Sequence, residues 1–221
     1  MKIDFHVHTK YSHDAVVTLE DIEAILSRSD RVVDAMAITD HNTVEGALEL
    51  KKRFKDNIII GEEVDTGEGE LIGYWLSKGI EKGLGIDKTI EEIRRQGGKI
   101  AVPHPFDLFR KKRIRIKQLG NLLGRIDMFE AFNSKNFLNI SDVRSKVFAL
   151  ENKILLTAGS DAHYKADIGN AYVDCTGLES VDRPERVCNA IQNGKIKGKR
   201  CSILYHVKAR LLKIGITTKP K

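Results

Sequence analysis

Short apolar runs in this chain repeatedly end in a histidine, aspartate or glutamate, and that pattern restricts the fold more than any other feature. Lys2-Ile3-Asp4-Phe5 leads into His6-Val7-His8, and Met36-Ala37-Ile38 leads into Thr39-Asp40-His41. Ile58-Ile59-Ile60 leads into Gly61-Glu62-Glu63, and Ile100-Ala101-Val102 into Pro103-His104-Pro105. Leu155-Leu156-Thr157 leads into Ala158-Gly159-Ser160-Asp161-Ala162-His163. Apolar runs of this length read as buried strands. Helix-patterned stretches separate them, so an α/β domain with parallel strands is expected. The polar residues then gather at the C-terminal ends of successive strands, the rim on which barrel enzymes build active sites. An open doubly wound sheet is the alternative. A closed barrel is preferred because it brings residues from strands spread over the whole chain to one place.

The first strand ends in His-x-His. Residues i and i+2 of a strand share a face, so His6 and His8 project together while Val7 turns away. Paired imidazoles are good ligands for divalent transition metals. Of seven histidines in the chain, His6, His8, His41, His104 and His163 all fall at strand ends. Satisfied core histidines would not be distributed in that way, and a polynuclear metal site is expected.

The chain has 221 residues, enough for one domain with a large core. Its three cysteines, Cys175, Cys188 and Cys201, are odd in number and widely spaced, which argues against a disulfide framework or a zinc knuckle. A reduced, cytoplasmic setting is expected. The N-terminus enters a strand directly, so no signal peptide is expected, and no apolar run reaches membrane-spanning length. Net charge is +6. The excess lies in the block from Arg110 to Lys117 and in the segment 195–221, which has nine Lys or Arg and no acid. Such patches attract phosphate-bearing ligands, and they equally suit a solvated surface with a basic tail.

Strands are expected near 2–7, 35–40, 57–62, 70–76, 99–103, 127–132, 154–159 and 170–175, and the stretch from Glu62 to Leu76 reads as strand–turn–strand with turn residues at 66–69. Thr18 with Asp21, and Thr89 with Glu92, read as capping boxes. A helix is expected from Val44 to Lys55, another capped by Ser141 and running to Glu151, and a last one starting at Asp182 with Pro184 just inside. Glu130 and Asn133 end a strand at the rim. They are equally readable as groups touching substrate or an imidazole and as cap and turn residues.

Taken in order, His6-x-His8, Tyr11-Ser12-His13-Asp14, Ile38-Thr39-Asp40-His41, Gly61-Glu62-Glu63, Pro103-His104-Pro105 and Gly159-Ser160-Asp161-Ala162-His163 resemble the motifs of the PHP (polymerase and histidinol phosphatase) superfamily. The resemblance runs from residue 3 to about residue 173. It implies a distorted seven-unit (βα)7 barrel, TIM-barrel-like, formed by residues 1–221 as a single domain with the basic segment 195–221 at its end. It also implies two or three divalent metal ions: zinc, manganese or iron. One ion takes His6, His8, Glu63 and Asp161. A second shares Glu63 as a bridge and adds His104, with Glu70 where relatives often have a histidine. A third takes Asp14, His41 and His163. The motif leaves both His13 and Asp14 where one ligand is expected, and Asp14 is favoured. The family's Gly-x-Glu spacing selects Glu63 over Glu62.

The activity implied is hydrolysis of a phosphate ester by in-line attack of a metal-bound hydroxide. Glu63, Asp161 and His163 are the expected catalytic groups, with Asp40 orienting an imidazole from behind. The expected substrate is a phosphorylated metabolite, a nucleotide or a short oligonucleotide, with Arg113 or Arg115 holding phosphate and no membrane partner. Two rivals stand beside this reading: an amidohydrolase-type enzyme acting on amides or lactones, and a nucleic-acid-binding module with a degenerate metal site. Tyr205 in the basic tail suits the second rival.

Overall fold

A computed structural model describes residues 1–201. The tail beyond, with Tyr205 and most of the basic segment, lies outside the described residues. Among the described residues, nine strands form one sheet in the order β7-β6-β5-β4-β3-β2-β1-β8-β9. They are β1 (Lys2–Val7), β2 (Ala35–Ile38), β3 (Ile58–Asp65), β4 (Glu70–Tyr74), β5 (Lys99–Val102), β6 (Met128–Asn133), β7 (Leu155–Gly159), β8 (Ala171–Asp174) and β9 (Lys195–Gly198). Just past β7 the chain reaches β1: Asp161 N donates to His6 O at 2.7 Å, and His8 N donates to Ala162 O at 3.0 Å. Seven strands thereby curl into a nearly closed, distorted barrel of the expected kind. The lower half of β1 pairs instead with β8, through Lys2 with Asp174 and Ile3 with Val173. Two added strands, β8 and the unexpected β9, extend the sheet beyond the ring.

The strands are not all parallel, as the sequence pattern had suggested. β1–β2–β3 and β5–β6–β7 run parallel, but β4 is antiparallel to both its neighbours. The cause is the tight turn at 66–69, where Gly67 (φ 79°) and Gly69 (φ 144°) take backbone conformations that disfavour side chains. Reversal brings the start of β4, rather than its end, to the metal-competent rim. Glu70 therefore sits opposite Asp65 in register.

Helices α1 (Leu19–Leu26), α2 (Glu45–Arg53), α3 (Ile86–Arg95), α4 (Ile116–Leu122), α5 (Asn139–Glu151) and α6 (Pro184–Gln192) connect or follow the strands. Thr18 and Asp21 form the expected capping box on α1. Thr89 does not cap α3. That helix starts one turn earlier, because Ile86, Ile90 and Ile93 make a continuous buried stripe, and the Thr89 hydroxyl donates to Leu84 O at 3.2 Å. Ser141 likewise lies inside α5, which begins at Asn139 after Leu138. Pro184 is the first residue of α6, but Arg183 rather than Asp182 precedes it as cap. One apolar cluster draws a residue from every strand of the ring, among them Phe5, Ala37, Ile59, Ile72, Ala101, Met128 and Ala158, as only a barrel interior can. The polar site lies above this floor. Among the described residues, no helix is long and apolar enough to cross a membrane.

Candidate metal centre

Strict alternation along β1 would send His6 to the opposite face from Ile3 and Phe5. A β-bulge between Asp4 and Val7 changes the parity. Bulges insert one residue and re-aim the side chains beyond it. Ile3 and Phe5 enter the interior cluster, Val7 packs outward against α1 and α2, and His6 and His8 end up together over the interior. Asp4 supports the irregular backbone, accepting from His6 N at 3.2 Å and Ser160 N at 2.9 Å. A second bulge in β6, between Glu130 and Phe132, lets Glu130 and Asn133 face the same centre despite their spacing of three. Asn133 Nδ2 lies 3.0 Å from Glu130 Oε2 and 3.2 Å from Asp161 Oδ2.

Hydrogen bonds fix which ring nitrogen faces inward. His6 Nδ1 lies 3.0 Å from Glu130 Oε1, and a carboxylate can only accept there, so Nδ1 carries the proton. Ser12 Oγ donates to Asp40 Oδ1 at 2.7 Å and lies 3.1 Å from His8 Nδ1. Its single proton is thus committed to Asp40, and His8 Nδ1 must be the donor. Both Nε2 atoms turn inward and stand 3.0 Å apart. Two imidazole lone pairs this close require a cation between them, either a proton or a metal ion. Asp40 reaches the imidazole only through Ser12, and it also accepts from Thr9 N and Thr9 Oγ1 at 2.6 and 2.7 Å.

The surrounding donors have metal-site spacing. Ligands at about 2.0–2.2 Å from a tetrahedral ion stand roughly 3.3–3.6 Å apart. Glu63 Oε2 is 3.5 Å from His6 Nε2 and 3.4 Å from His8 Nε2. Asp161 Oδ1 is 3.8 and 3.4 Å from the same two atoms. Asp161 Oδ1 is buried with no well-formed hydrogen bond among the described residues, an expensive state for a carboxylate oxygen unless a cation meets it. The residues present therefore fit a metal ion.

Glu63 is the hub. Its Oε2 also lies 3.2 Å from His41 Nδ1, while its Oε1 lies 3.0 Å from His104 Nε2. Glu70 Oε2 stands 3.9 Å from His104 Nε2, and His104 Nδ1 is buried with no partner among the described residues. Asp14 Oδ1 is 3.6 Å from His41 Nε2 and 3.3 Å from His163 Nε2. His13 is exposed, its ring 5.4 Å from that of His41. Glu62 turns to the other face, where Ile80 N donates to it at 2.9 Å. His6, His8, Asp14, His41, Glu63, Glu70, His104, Asp161 and His163 thus converge in one cluster. His104 (φ 31°) and Asp161 (φ 53°) hold left-handed backbone conformations, a form of strain concentrated at functional sites.

Electrostatics follow from this crowding. Burial alone would lower the His6 pKa, but the carboxylates of Asp161, Glu63 and Glu130 outweigh it and raise it well above the ordinary value. His8 moves the other way, lowered by burial and by the charges of His163 and His41. Burial also opposes ionisation of Glu63 and Asp161. The imidazoles around Glu63, and Arg110 and Lys135 beside Asp161, nevertheless hold both carboxyls well below the usual range. Glu70 is pushed up to about 9, first by burial and then by the negative charge of Glu63.

Two cations complete the site. Arg110 pairs with Asp161 through its guanidinium, and Lys135 Nζ lies 3.9 Å from Asp161 Oδ1 and 2.6 Å from His163 Nδ1. The sequence pattern had pointed to Arg113 or Arg115 for this role. Instead the segment enters the site at Arg110, while Arg113 and Arg115 line a neighbouring cleft. Lys135 carried no sequence signal beyond its place two residues after a strand end.

The profile of the PHP domain matches residues 4–166, and a PHP-associated profile matches residues 142–196. An uncharacterized protein of Methanocaldococcus jannaschii is 37% identical over 149 residues, covering 61% of this chain and 82% of that protein. A second uncharacterized protein of the same organism is 30% identical over 189 residues, 84% of this chain and 74% of its own length. A solved two-domain protein from Bacteroides vulgatus, described as containing a predicted PHP-like metal-dependent phosphoesterase, superimposes with a TM-score of 0.67 at 15% identity. That match covers 90% of this chain and 65% of the two-domain protein. An amidohydrolase from Chromobacterium violaceum, solved with bound sulfate, superimposes at 0.61 and 14% identity, over 90% of this chain and 98% of that one.

Proposed function

This chain belongs to the PHP domain family, and on that premise we propose that it hydrolyses phosphate esters with two or three divalent metal ions. One observation carries the reading: the inward Nε2 atoms of His6 and His8 stand 3.0 Å apart, with Glu63 and Asp161 oxygens at ligand spacing around them. Mixed imidazole and carboxylate donors suit zinc, manganese or iron(II). His6, His8, Glu63 and Asp161 would hold one ion, Glu63, His104 and Glu70 a second, and Asp14, His41 and His163 a third. Such ions supply Lewis acidity and a nucleophilic hydroxide at neutral pH.

The chain's own residues do the rest. Glu130 and Ser12 hold His6 and His8 with the proton on Nδ1 and the lone pair inward. Asp40 anchors Ser12, and Asn133 steadies Asp161. Arg110 and Lys135 offer positive charge where phosphoryl oxygens would lie. Those two cations favour an anionic ester over a neutral amide or lactone. Substrates of this class include phosphorylated metabolites, nucleotides and short oligonucleotides. A cytoplasmic setting is part of the same proposal and rests on the odd, widely spaced cysteines.

The test is a hydrolysis panel of p-nitrophenyl phosphate, its bis ester, and simple amides and lactones, run with added manganese, zinc or iron(II). Phosphoester turnover, abolished by chelation and by His8→Ala or Asp161→Ala, is expected. Turnover of amides or lactones alone would establish the amidohydrolase reading. Salt-dependent nucleic-acid binding with no turnover would establish the binding-module reading.

A further inference from the structure

Arg110 is only the first residue of the basic run, and the metal centre uses none of the next five. Lys111, Lys112, Arg113 and Arg115 converge with the turn at 67–69 and Gln118 on a cleft of about 380 Å³, within the size range of ligand pockets. The cleft is held in place by the fold. Glu70 N donates to Lys112 O at 2.8 Å. A Cβ on Gly69 would stand 2.7–2.8 Å from Ile114, so only glycine lets the turn and the basic segment approach this closely.

The cleft also adjoins the metal centre. Lys112 Nζ lies 2.9 Å from Asp65 Oδ2 and 4.0 Å from Glu70 Oε1, and Glu70 faces His104 from the other side. The acid that lines the cleft, Glu68, already accepts from Ile86 N at 3.1 Å and Gln118 Nε2 at 3.3 Å. Glu68 keeps its negative charge and Lys112 is paired with Asp65, so Lys111, Arg113 and Arg115 leave the cleft with a net positive charge. Arg113 Nε is buried with no hydrogen-bond partner among the described residues. A buried charged donor of that kind calls for an anionic acceptor.

We propose that this cleft binds a second phosphate of the substrate, while the first is cleaved at the metal centre. The proposal rests on the phosphoester reading for the cleaved group, but anion binding in the cleft does not depend on it. The occupant is a phosphate monoester or diester joined to the cleaved group by a short linker. A bisphosphorylated small molecule and a 5′-phosphorylated oligonucleotide share that chemistry.

The experiment compares the metal-loaded full chain with Arg113→Ala/Arg115→Ala. A second variant, Lys111→Glu/Arg115→Glu, changes only exposed side chains and guards against misfolding. The substrates are fructose 1,6-bisphosphate against fructose 6-phosphate, and 5′-phosphorylated dithymidylate against thymidine 5′-monophosphate. p-Nitrophenyl phosphate is the single-phosphate control. In the unsubstituted chain, at least one doubly phosphorylated substrate is favoured in kcat/KM by about tenfold or more, and both variants lose that preference. Turnover of p-nitrophenyl phosphate stays unchanged. The favoured pair tells a metabolite from an oligonucleotide. In parallel, calorimetry on the chelator-treated chain follows inorganic pyrophosphate, whose affinity falls by about tenfold or more in both variants. Equal preference and equal pyrophosphate affinity across the three proteins would overturn the proposal. If no phosphoester is hydrolysed at all, the proposed function fails, and pyrophosphate binding alone still decides for or against the cleft.

Discussion

Replacing Glu130 by glutamine tests whether the groups behind the histidines set their metal-binding form. Glu130 Oε2 receives two donors, His104 N at 2.6 Å and Asn133 Nδ2 at 3.0 Å. The single oxygen of a glutamine is therefore claimed on that side, and its NH2 group takes the place of Oε1. There it meets His6 Nδ1, 3.0 Å from the present oxygen. Two donors cannot face each other, so His6 must move its proton to Nε2, the nitrogen that faces Glu63, His8 and Asp161. A ring with hydrogen on that atom cannot ligate. Loss of such a supporting partner costs about 10- to 100-fold in metal affinity, or about 1.4–2.8 kcal/mol. Chelator-competition titration with zinc or manganese measures it, and circular dichroism checks that the variant is folded. A folded Glu130→Gln protein with affinity within about twofold of the unsubstituted chain would refute the reasoning.

A Cβ on Gly159 would lie 2.2 Å from His6 Cβ and 2.7 Å from Glu130 Oε1, so Gly159→Ala should lose about 1–3 kcal/mol or more of stability in urea denaturation, together with metal affinity. Glu62 is raised from 4.5 to about 7 by burial, partly offset by the hydrogen bond from Ile80 N. The folded chain then holds a proton that the unfolded chain releases, so this contribution is complete below pH 4.5 and is lost as pH rises through about 7. Glu62→Gln should accordingly stabilise the chelator-treated chain at pH 8 by roughly 1–3 kcal/mol and flatten the loss between pH 5 and 7; equal pH profiles would contradict this. Arg110→Ala should lower kcat/KM for p-nitrophenyl phosphate by about 10²–10³ with metal content unchanged, as for loss of a group that stabilises developing charge.

Much of the histidine and carboxylate cluster was legible because strand ends announce themselves: an apolar run followed by histidine or carboxylate needs no tertiary information. The bridging place of Glu63 and the preference for Asp14 over His13 came from the family resemblance; the structure places Glu63 and Asp14 in the cluster and leaves His13 exposed beside it. Geometry that depends on a local irregularity was not legible. The bulges in β1 and β6 reset which side chains share a face, and no residue type marks them. Glu130 and Asn133 could therefore be read either way until Glu130 was found against His6 and His104. The reversal of β4 was legible in part, since 62–76 reads as strand–turn–strand and β3 and β4 do pair antiparallel there. The glycines at 67 and 69 signalled a turn, but the direction of the following strand depends on pairing across the sheet. Thr89 misled because a capping-box pattern recurs inside helices, and burial of Ile86 outweighed it. Arg110 was obscured by its neighbours, since a run of cations does not say which one turns inward.

Metal stoichiometry tests the central claim most directly. The chain is stripped with chelator, reloaded separately with zinc and manganese, freed of excess ion and analysed for bound metal per chain. His8→Ala and Asp161→Ala are carried through the same steps. The account predicts two or three ions per chain, with at least one lost in each variant. Fewer than one ion per chain under every condition, or full occupancy in both variants, would contradict it.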